Sequence, residues 1–299
     1  MTNPGPKGGN TETSAETSSP PLGVGGIGIF DSGIGGLTVL KDIVKKLPQY
    51  DYVYLGDNAR APYGTRSFET VYQYTLESVE KLFSMGCELI ILACNTASAK
   101  ALRNIQQLDL QRIAPGKRVL GVIRPTSEVV GKYTQTKHVG VLGTSGTVAS
   151  ESYKIEIGKL FPDIKVFQEA CSIWVPMVEY NEMDSPAADH FVKKHIDALF
   201  AKSPEGAGNK IDTIILGCTH FPLLIDKIKK FVPPAVKIVI QGEIVADSLA
   251  DYLKRHPEIE SKCSKNGNLD FFTTDSTESF DKVAGRFWGA EIRSKHLHL

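Results

Sequence analysis

Short, continuously apolar runs alternate with amphipathic helices along most of this chain. The runs are rich in β-branched residues and predict strands at 27–30, 52–55, 89–93, 119–123, 138–142, 164–168, 213–216, 237–240 and 270–273. Apolar residues at helical spacing predict a helix over 37–47, which Pro48 ends, and another over 72–83, with Gly86 as its C-terminal cap. Because strands without a polar face are covered on both sides, this alternation predicts parallel sheets and an α/β fold.

Two stretches in the first half of the chain resemble two stretches in the second half. Residues 27–33 (IGIFDSG) match residues 139–145 (VGVLGTS), and residues 89–96 (LIILACNT) match residues 213–220 (TIILGCTH). The repetition predicts two similar parallel-sheet α/β domains. Ligands of open parallel sheets bind outside the carboxyl ends of the strands, so we expect the active site in the cleft between the domains. The predicted domains comprise residues 27–117 together with 226–299, and residues 118–225.

Two segments are poor in apolar residues. Residues 1–26 consist mostly of Gly, Pro, Ser and Thr, and they bury too little apolar surface to offset the entropy lost on ordering. We therefore expect a disordered leader over 1–26. Residues 201–210 (AKSPEGAGNK) have the same character and predict an inserted mobile loop that is dispensable for chemistry.

Charge and hydropathy exclude several classes of protein. The 299 residues include 34 Lys+Arg and 34 Asp+Glu, and the absence of a basic excess argues against a nucleic-acid partner. No apolar run reaches the roughly 18 residues of a membrane span. Residues 1–26 lack the basic start and apolar centre of a secretory signal, so we expect a cytoplasmic protein. Five scattered cysteines fit reduced thiols better than a disulfide framework.

Two of the cysteines, Cys94 and Cys218, each follow a predicted strand and precede a predicted helix. A helix N-terminus stabilises negative charge and lowers the pKa of a thiol, so each is expected to be an activated base or nucleophile. The alternative is that each is a small buried hydrophobic residue. Matched positions at two strand ends, each beside Thr and another polar residue, favour chemistry. The remaining cysteines lack this setting and are expected to be structural: Cys87, Cys171 and Cys263.

Two opposed thiols restrict the chemistry. No C-x-x-C pair supports thiol–disulfide exchange, and Cys218 with His220 offers too few ligands for a zinc site. A Cys–His nucleophile would use these two residues but would leave Cys94 without a role. Two bases on opposite faces of one carbon use both cysteines, because one thiolate removes a proton and the opposite thiol supplies another. The pair therefore favours a racemase or epimerase.

Two polar loops follow the first two predicted strands. Residues 31–36 (DSGIGG) allow a tight turn and expose N–H groups that suit a carboxylate or a phosphate. A dinucleotide fingerprint is the alternative, but Thr38 occupies the place of its third glycine and Asp31 would repel a pyrophosphate. A small-substrate site is therefore favoured. Residues 57–64 (DNARAPYG) form the second loop, which Pro and Gly stiffen.

Four motifs, in this order, resemble those of bacterial glutamate racemases, in the cofactor-independent aspartate/glutamate racemase superfamily. They are FDSGIGGL at 30–37, DNARAPYG at 57–64, ACNTAS at 93–98 and GCTHFPL at 217–223. The resemblance extends from Ile27 to Trp288. It implies an isomerase with two α/β domains that interconverts L- and D-glutamate without pyridoxal phosphate. It also implies a supply of D-glutamate for peptidoglycan, and hence for cell-wall biogenesis and cell shape.

The resemblance also implies roles for individual residues. Cys94 would act on the D-enantiomer and Cys218 on the L-enantiomer, and a family glutamate near the second base would correspond to Glu179. The residues that would hold the substrate are Asp31, Ser32, Tyr63, Gly64, Asn95, Thr96, Thr219 and His220. Because an α-proton is weakly acidic, donors must stabilise charge on the substrate carboxylate, and the candidates are Asn95, Thr96, Thr144 and Thr219.

Asp31 and His220 are expected beside Cys94 and Cys218 respectively. There each would help to move a thiol proton or orient the ammonium group of the substrate. The alternative for Asp31 is a helix cap, and the alternative for His220 is a structural histidine.

The resemblance also implies partners, and two other functions stay open beside the racemisation of glutamate. Relatives suggest a homodimer, and some use an N-terminal extension to bind a cell-wall precursor as activator, although residues 1–26 are too poor in apolar residues to form such a site alone. A second interpretation is an aspartate racemase of the same superfamily. A third is a non-catalytic binding protein with two lobes, against which the two matched cysteines argue.

Overall fold

The structure is a computed structural model that describes residues 25–203 and 210–299. In these ranges ten strands form two sheets in which all pairs are parallel. The six-stranded sheet has the order β10-β9-β2-β1-β3-β4, with strands Ser294–His296, Leu269–Thr273, Tyr52–Gly56, Gly26–Asp31, Cys87–Leu92 and Arg118–Gly121. The four-stranded sheet has the order β6-β5-β7-β8, with strands Lys165–Ala170, His138–Gly143, Thr213–Gly217 and Lys237–Val239. The predicted α/β class with parallel sheets is confirmed.

Helices connect the strands. In chain order they are α1 Leu37–Lys46, α2 Phe68–Ser84, α3 Asn95–Lys100, α4 Leu102–Asn104, α5 Leu110–Ile113, α6 Ile123–Val129, α7 Ser145–Ala149, α8 Ser152–Leu160, α9 Trp174–Glu179, α10 Pro186–Phe200, α11 Ile225–Phe231, α12 Gln241–Arg255, α13 Pro257–Glu260 and α14 Thr277–Trp288. A π-helical segment, Ile105–Asp109, lies between α4 and α5. Short 3₁₀ helices cover Asn58–Arg60, Val130–Lys132 and Phe221–Leu224.

The two helices predicted from apolar spacing are α1 and α2. α1 ends at Lys46, two residues before Pro48, as the sequence predicts. α2 starts earlier than predicted because the Ser67 side chain accepts a hydrogen bond from the Thr70 N–H and caps its first turn. Gly86 follows this helix with a φ of 95°, a conformation that favours glycine.

The six-stranded sheet is covered on both faces. Tyr52 and Tyr54 of β2 enter the apolar cluster that contains α1 and α12, whereas Val53 and Leu55 enter the cluster that contains α2. The first cluster continues to β7 and α9, so apolar packing joins the two sheets. α12 follows the last strand of the four-stranded sheet and packs along α1 of the six-stranded sheet.

The predicted domain limits do not coincide with the sheets. Arg118–Gly121 was expected in the second domain but pairs with β3 in the six-stranded sheet, and Lys237–Val239 was expected in the first domain but pairs with β7 in the four-stranded sheet. A parallel neighbour needs only one helical crossover, so β4 joins the sheet of β3 and β8 joins the sheet of β7. The division into two domains itself stays a prediction.

Other differences arise at the ends of elements. The strand predicted at 119–123 stops at Gly121 because its partner β3 ends at Leu92, and Ile123 already begins α6. β10 was not predicted, since its short sequence SKH has no apolar pattern. Of the predicted leader 1–26, residues 1–24 lie outside the described residues, and Gly26 begins β1. Residues 204–209 of the predicted insertion also lie outside them.

Candidate active site

The carboxyl ends of β1, β3, β5 and β7 meet around one cavity of about 300 Å³. Two of these strands belong to each sheet, so the cavity lies where the two sheets face each other. The predicted residues that line it are Ser32, Tyr63, Gly64, Cys94, Asn95, Thr96, Thr144, Cys218, Thr219 and His220. Asp31 and Glu179 are not among the lining residues, but each contacts a residue that is.

Cys94 lies at the N-cap of α3, directly after β3. Its Sγ accepts a hydrogen bond from the Ala97 N–H at 3.5 Å and lies 3.4 Å from Ser32 Oγ. Burial raises the pKa of Cys94 to about 12, and the charge of Asp31 adds to this, although the contacts with Ser32 and Ala97 act in the opposite direction. The predicted lowering of the Cys94 pKa by the helix terminus is therefore wrong. The raised pKa favours the thiol form of Cys94, which is the form that can donate a proton.

Cys218 heads a chain of polar contacts on the other side of the cavity. Its Sγ lies 4.0 Å from Nδ1 of His220, and Nε2 of His220 lies 2.9 Å from Oε1 of Glu179, the last residue of α9. Burial opposes a charge on His220, but the hydrogen bonds with Cys218 and Glu179 outweigh burial and raise the pKa of His220 to about 10. The raised pKa favours the imidazolium form of His220, whose Nδ1 faces the second sulfur.

Asp31 is completely buried and joins the loops after β1 and β7. One carboxylate oxygen accepts from the Gly33 N–H at 3.0 Å, and the other accepts from Thr219 Oγ1 at 3.4 Å. Burial raises the pKa of Asp31, although the positive charge of His220 acts against this. α1 has no side-chain cap, so Asp31 is not the N-cap of that helix.

Gly35 lets the two loops touch. A Cβ at this position would lie 2.2 Å from Thr219 Oγ1 and 2.5 Å from His220 Nδ1, which is closer than atoms can approach. The glycine-rich segment 31–36 therefore packs against the Cys218 loop. This packing disagrees with the dinucleotide alternative, because a pyrophosphate would need the same space.

Hydroxyl groups from both sheets meet at the cavity. Thr96 Oγ1, after β3, lies 2.9 Å from Thr144 Oγ1, after β5. The Gly146 N–H donates to the Gly64 carbonyl at 2.7 Å, and a Cβ on Gly64 would lie 2.8 Å from Thr144 Cβ. These contacts bring Gly64 and the threonine pair to one side of the cavity, where their donors can face a bound carboxylate.

Tyr63 is buried, and its hydroxyl donates to the Asp57 carboxylate. Burial raises the pKa of Tyr63, so the phenol stays neutral. Asp57 also binds Arg60 Nε at 2.6 Å and Thr274 Oγ1 at 2.8 Å. The stiff polar loop predicted at 57–64 is thus held to the protein interior by one buried carboxylate.

Sequence reasoning missed part of the cavity wall and the groups behind it. Ser172 and Pro176 line the cavity from the segment around α9, and the only sequence signal was the Pro near Glu179. Gln241 and Tyr153 are buried and hydrogen-bond to Asn95. A single Gln after an apolar strand and a Tyr within a helix carry no local signal of a shared polar cluster.

The chain is similar in sequence to known racemases. Residues 27–247 match the family model described as Asp/Glu/Hydantoin racemase. A glutamate racemase of Ruegeria sp. (strain TM1040) is 41% identical over 276 residues, which cover 89% of this chain and 97% of that protein. The chain belongs to the Asp/Glu/hydantoin racemase family, among its glutamate racemases.

Solved structures of glutamate racemases have the same fold. That of an isoform from Bacillus anthracis has a TM-score of 0.82 and 36% identity, covering 92% of this chain and 98% of its own. That from Francisella tularensis in complex with D-glutamate has a TM-score of 0.78 and 32% identity, covering 92% and 97%. The predicted resemblance and the predicted class, an amino-acid racemase and thus an isomerase, are confirmed.

The described residues offer neither a metal site nor a membrane-spanning helix. Within 25–203 and 210–299, no group of three or more His, Cys, Asp or Glu side chains is placed to hold a metal ion. In the same ranges, no helix combines the length and apolar character needed to cross a bilayer.

Gly35→Ala should reduce racemase activity by about 100-fold, because the new methyl group pushes Thr219 and His220 away from their positions beside Cys218. The measurement is the rate of glutamate racemisation by circular dichroism. Gly158→Ala in α8 is the matched control, since a Cβ there meets nothing within 4 Å. Equal activity of both variants would contradict the close contact of the two loops.

Glu179→Gln should move the alkaline limb of the pH–rate profile to lower pH. The charge of Glu179 helps to raise the pKa of His220, so its removal lowers the pH at which the imidazolium is lost. The raised pKa of His220 also stabilises the folded wild type against unfolding. This contribution is full below pH 6.5, the ordinary pKa of histidine, and is lost as the pH rises to about 10. In Glu179→Gln it should be smaller and should be lost at lower pH.

The measurement for Glu179→Gln is kcat/KM between pH 6 and 11, with urea unfolding at the same pH values. Glu182→Gln is the control, because Glu182 is exposed. An alkaline limb at the same pH in Glu179→Gln and the wild type would show that Glu179 does not act on His220.

Proposed function

We propose that the protein interconverts L- and D-glutamate, with Cys94 and Cys218 as the two proton-transferring groups. The observation that carries the proposal is that two thiols, one after a strand of each sheet, line the same cavity. The substrate is supported by the glutamate racemase names of the relatives and by the D-glutamate complex of the Francisella tularensis protein.

Racemisation of L-glutamate starts with Cys218 as thiolate and Cys94 as thiol. Cys218 removes the α-proton, the electron pair stays on the α-carbon and its carboxylate, and Cys94 donates its proton to the opposite face. D-glutamate leaves, with Cys218 now a thiol and Cys94 a thiolate. The reverse reaction begins from this second form, so each form accepts one enantiomer. The raised pKa of Cys94 favours the first form in the free enzyme.

Three flanking groups control the protons at the two sulfurs. His220, held by Glu179, keeps positive charge beside Cys218, and this stabilises the thiolate that attacks L-glutamate. The charge of Asp31 acts on Cys94 and favours its protonated form, and the same charge would attract the substrate ammonium group. These charges act on different sulfurs, because His220 contacts Cys218 whereas the charge of Asp31 acts on Cys94.

Polar groups around the cavity bind the substrate and stabilise the carbanion. Asn95, Thr96, Thr144 and Thr219 supply donors for the carboxylate on which charge develops. Ser32, Tyr63 and Gly64 complete the binding surface. The chain's own thiols perform both transfers, so the proposed mechanism uses no pyridoxal phosphate.

We further propose that the enzyme supplies D-glutamate for peptidoglycan in the cytoplasm and works as a homodimer. These proposals rest on the resemblance of the four motifs to bacterial glutamate racemases. A cell-wall precursor that activates the enzyme through residues 1–26 stays a prediction, because residues 1–24 lie outside the described part of the chain.

Cys94→Ser and Cys218→Ser should each lower racemisation of L-glutamate by about 100- to 10,000-fold, because a hydroxyl is a far weaker acid than a thiol and cannot replace either proton carrier. The measurement is chiral chromatography of reactions with L-glutamate and, separately, L-aspartate. Cys263→Ala is the matched control, since Cys263 is buried outside the cavity. Full activity of either serine variant would overturn the two-thiol proposal, and activity with aspartate alone would favour an aspartate racemase.

A further inference from the structure

Gln241, the first residue of α12, has no part in the proposed mechanism and lies in a buried polar cluster. Its side chain is 4% exposed, and its contacts Asn95, Tyr153 and Thr126 are 2%, 0% and 0% exposed. Among these, only Asn95 lines the active-site cavity. Buried polar groups are costly unless they are hydrogen-bonded, so the arrangement of this cluster is strongly specified.

Three side chains form a closed ring of hydrogen bonds. Asn95 Nδ2 donates to Gln241 Oε1 at 2.6 Å, Gln241 Nε2 donates to the Tyr153 hydroxyl at 2.9 Å, and this hydroxyl donates to Asn95 Oδ1 at 2.7 Å. Each group donates once and accepts once around the ring. Both polar atoms of Asn95 are therefore held.

Contacts outside the ring fix the orientation of the Gln241 amide. Its Nε2 also lies 2.9 Å from Thr126 Oγ1 and 3.2 Å from the Val122 carbonyl oxygen. A carbonyl oxygen accepts only, so the nitrogen of Gln241 must point toward it. The oxygen then points toward Asn95 and can only accept, which obliges Asn95 to present its nitrogen to the ring.

The ring joins the segment that carries Cys94 to two helices that flank strands of the four-stranded sheet. Asn95 directly follows Cys94, and Tyr153 lies on α8, which precedes the outer strand of the four-stranded sheet. Away from the ring, Gln241 also lines a small cavity of about 10 Å³, to which Cys218 and Thr219 contribute. One side chain thus adjoins the loops of both proposed proton carriers.

We propose that Gln241 is a positioning residue for racemisation, which holds the Asn95 amide so that its second Nδ2 hydrogen faces the substrate. The inference rests on the proposed function, because it needs Asn95 to contact glutamate. Gln241 itself does not touch the substrate and acts through Asn95. Loss of this orientation weakens a donor that the developing carbanion requires.

Gln241→Met tests the proposal, because methionine has a similar length but cannot form the hydrogen bonds. We expect kcat/KM for glutamate to fall roughly 10- to 100-fold, with a rise in KM. The fall must be equal for both enantiomers, since their equilibrium constant is unity. A purely structural defect would reduce the folded fraction, and with it kcat, and would leave KM unchanged.

A double-mutant cycle decides whether Gln241 acts through Asn95. In an Asn95→Ala background, Gln241→Met should cost no more than about twofold in kcat/KM, because the group that Gln241 orients is absent.

Thr126→Val is the matched control. It removes another partner of the same Gln241 nitrogen and should change kcat/KM less than about twofold, even if it lowers the melting temperature. If Gln241→Met does not fold, Tyr153→Phe opens the same ring by removing one oxygen, and the same cycle applies.

The outcomes are distinct. Losses that add fully in the double variant, or a Gln241→Met enzyme with wild-type kcat and KM, would overturn the positioning role and leave the proposed function intact. A wild type that does not racemise glutamate would overturn the proposed function and this inference together.

Discussion

The active site depends on direct contact between the loops at the carboxyl ends of two separate sheets. Asp31 at the end of β1 and Gly35 after it touch Thr219, which follows β7. Thr38 Oγ1 donates to the Thr219 carbonyl at 3.0 Å. Each sheet contributes one thiol, so neither half alone contains a pair of proton carriers. The apolar cluster shared by α1, α12 and β7 holds the sheets in this relation, which places Cys94 and Cys218 on one cavity.

Burial at these strand ends makes the electrostatics of the two thiols unequal. Burial and the charge of Asp31 raise the pKa of Cys94, and the N–H of Ala97 at the start of the short α3 does not compensate. Beside Cys218 lies His220, whose pKa is raised because its hydrogen bonds with Cys218 and Glu179 outweigh its burial. The two sulfurs therefore have different charged neighbours, a carboxylate acting on Cys94 and an imidazole beside Cys218.

Local patterns predicted the elements of the fold better than their tertiary arrangement. The alternation of apolar strands and helices located the nine strands sought, and the strand-end positions of Cys94 and Cys218 pointed to a common cavity. The sheet membership of β4 and β8 depends on pairing between distant segments, which no local pattern records. The pKa of Cys94 was predicted in the wrong direction because its burial is a tertiary property. The sequence did not predict the roles of Gln241 and Tyr153, because their hydrogen-bonded ring with Asn95 joins three distant parts of the chain.

The most direct test of two opposed proton carriers is proton NMR of L-glutamate racemisation in heavy water during the first turnovers. Each thiol serves one face of the α-carbon, so the D-glutamate formed should carry deuterium from solvent while the remaining L-glutamate keeps its α-proton. We expect the α-proton signal to be lost in step with the appearance of D-glutamate. D-glutamate that retains the original α-proton would show that one group serves both faces, and this would rule out two opposed proton carriers.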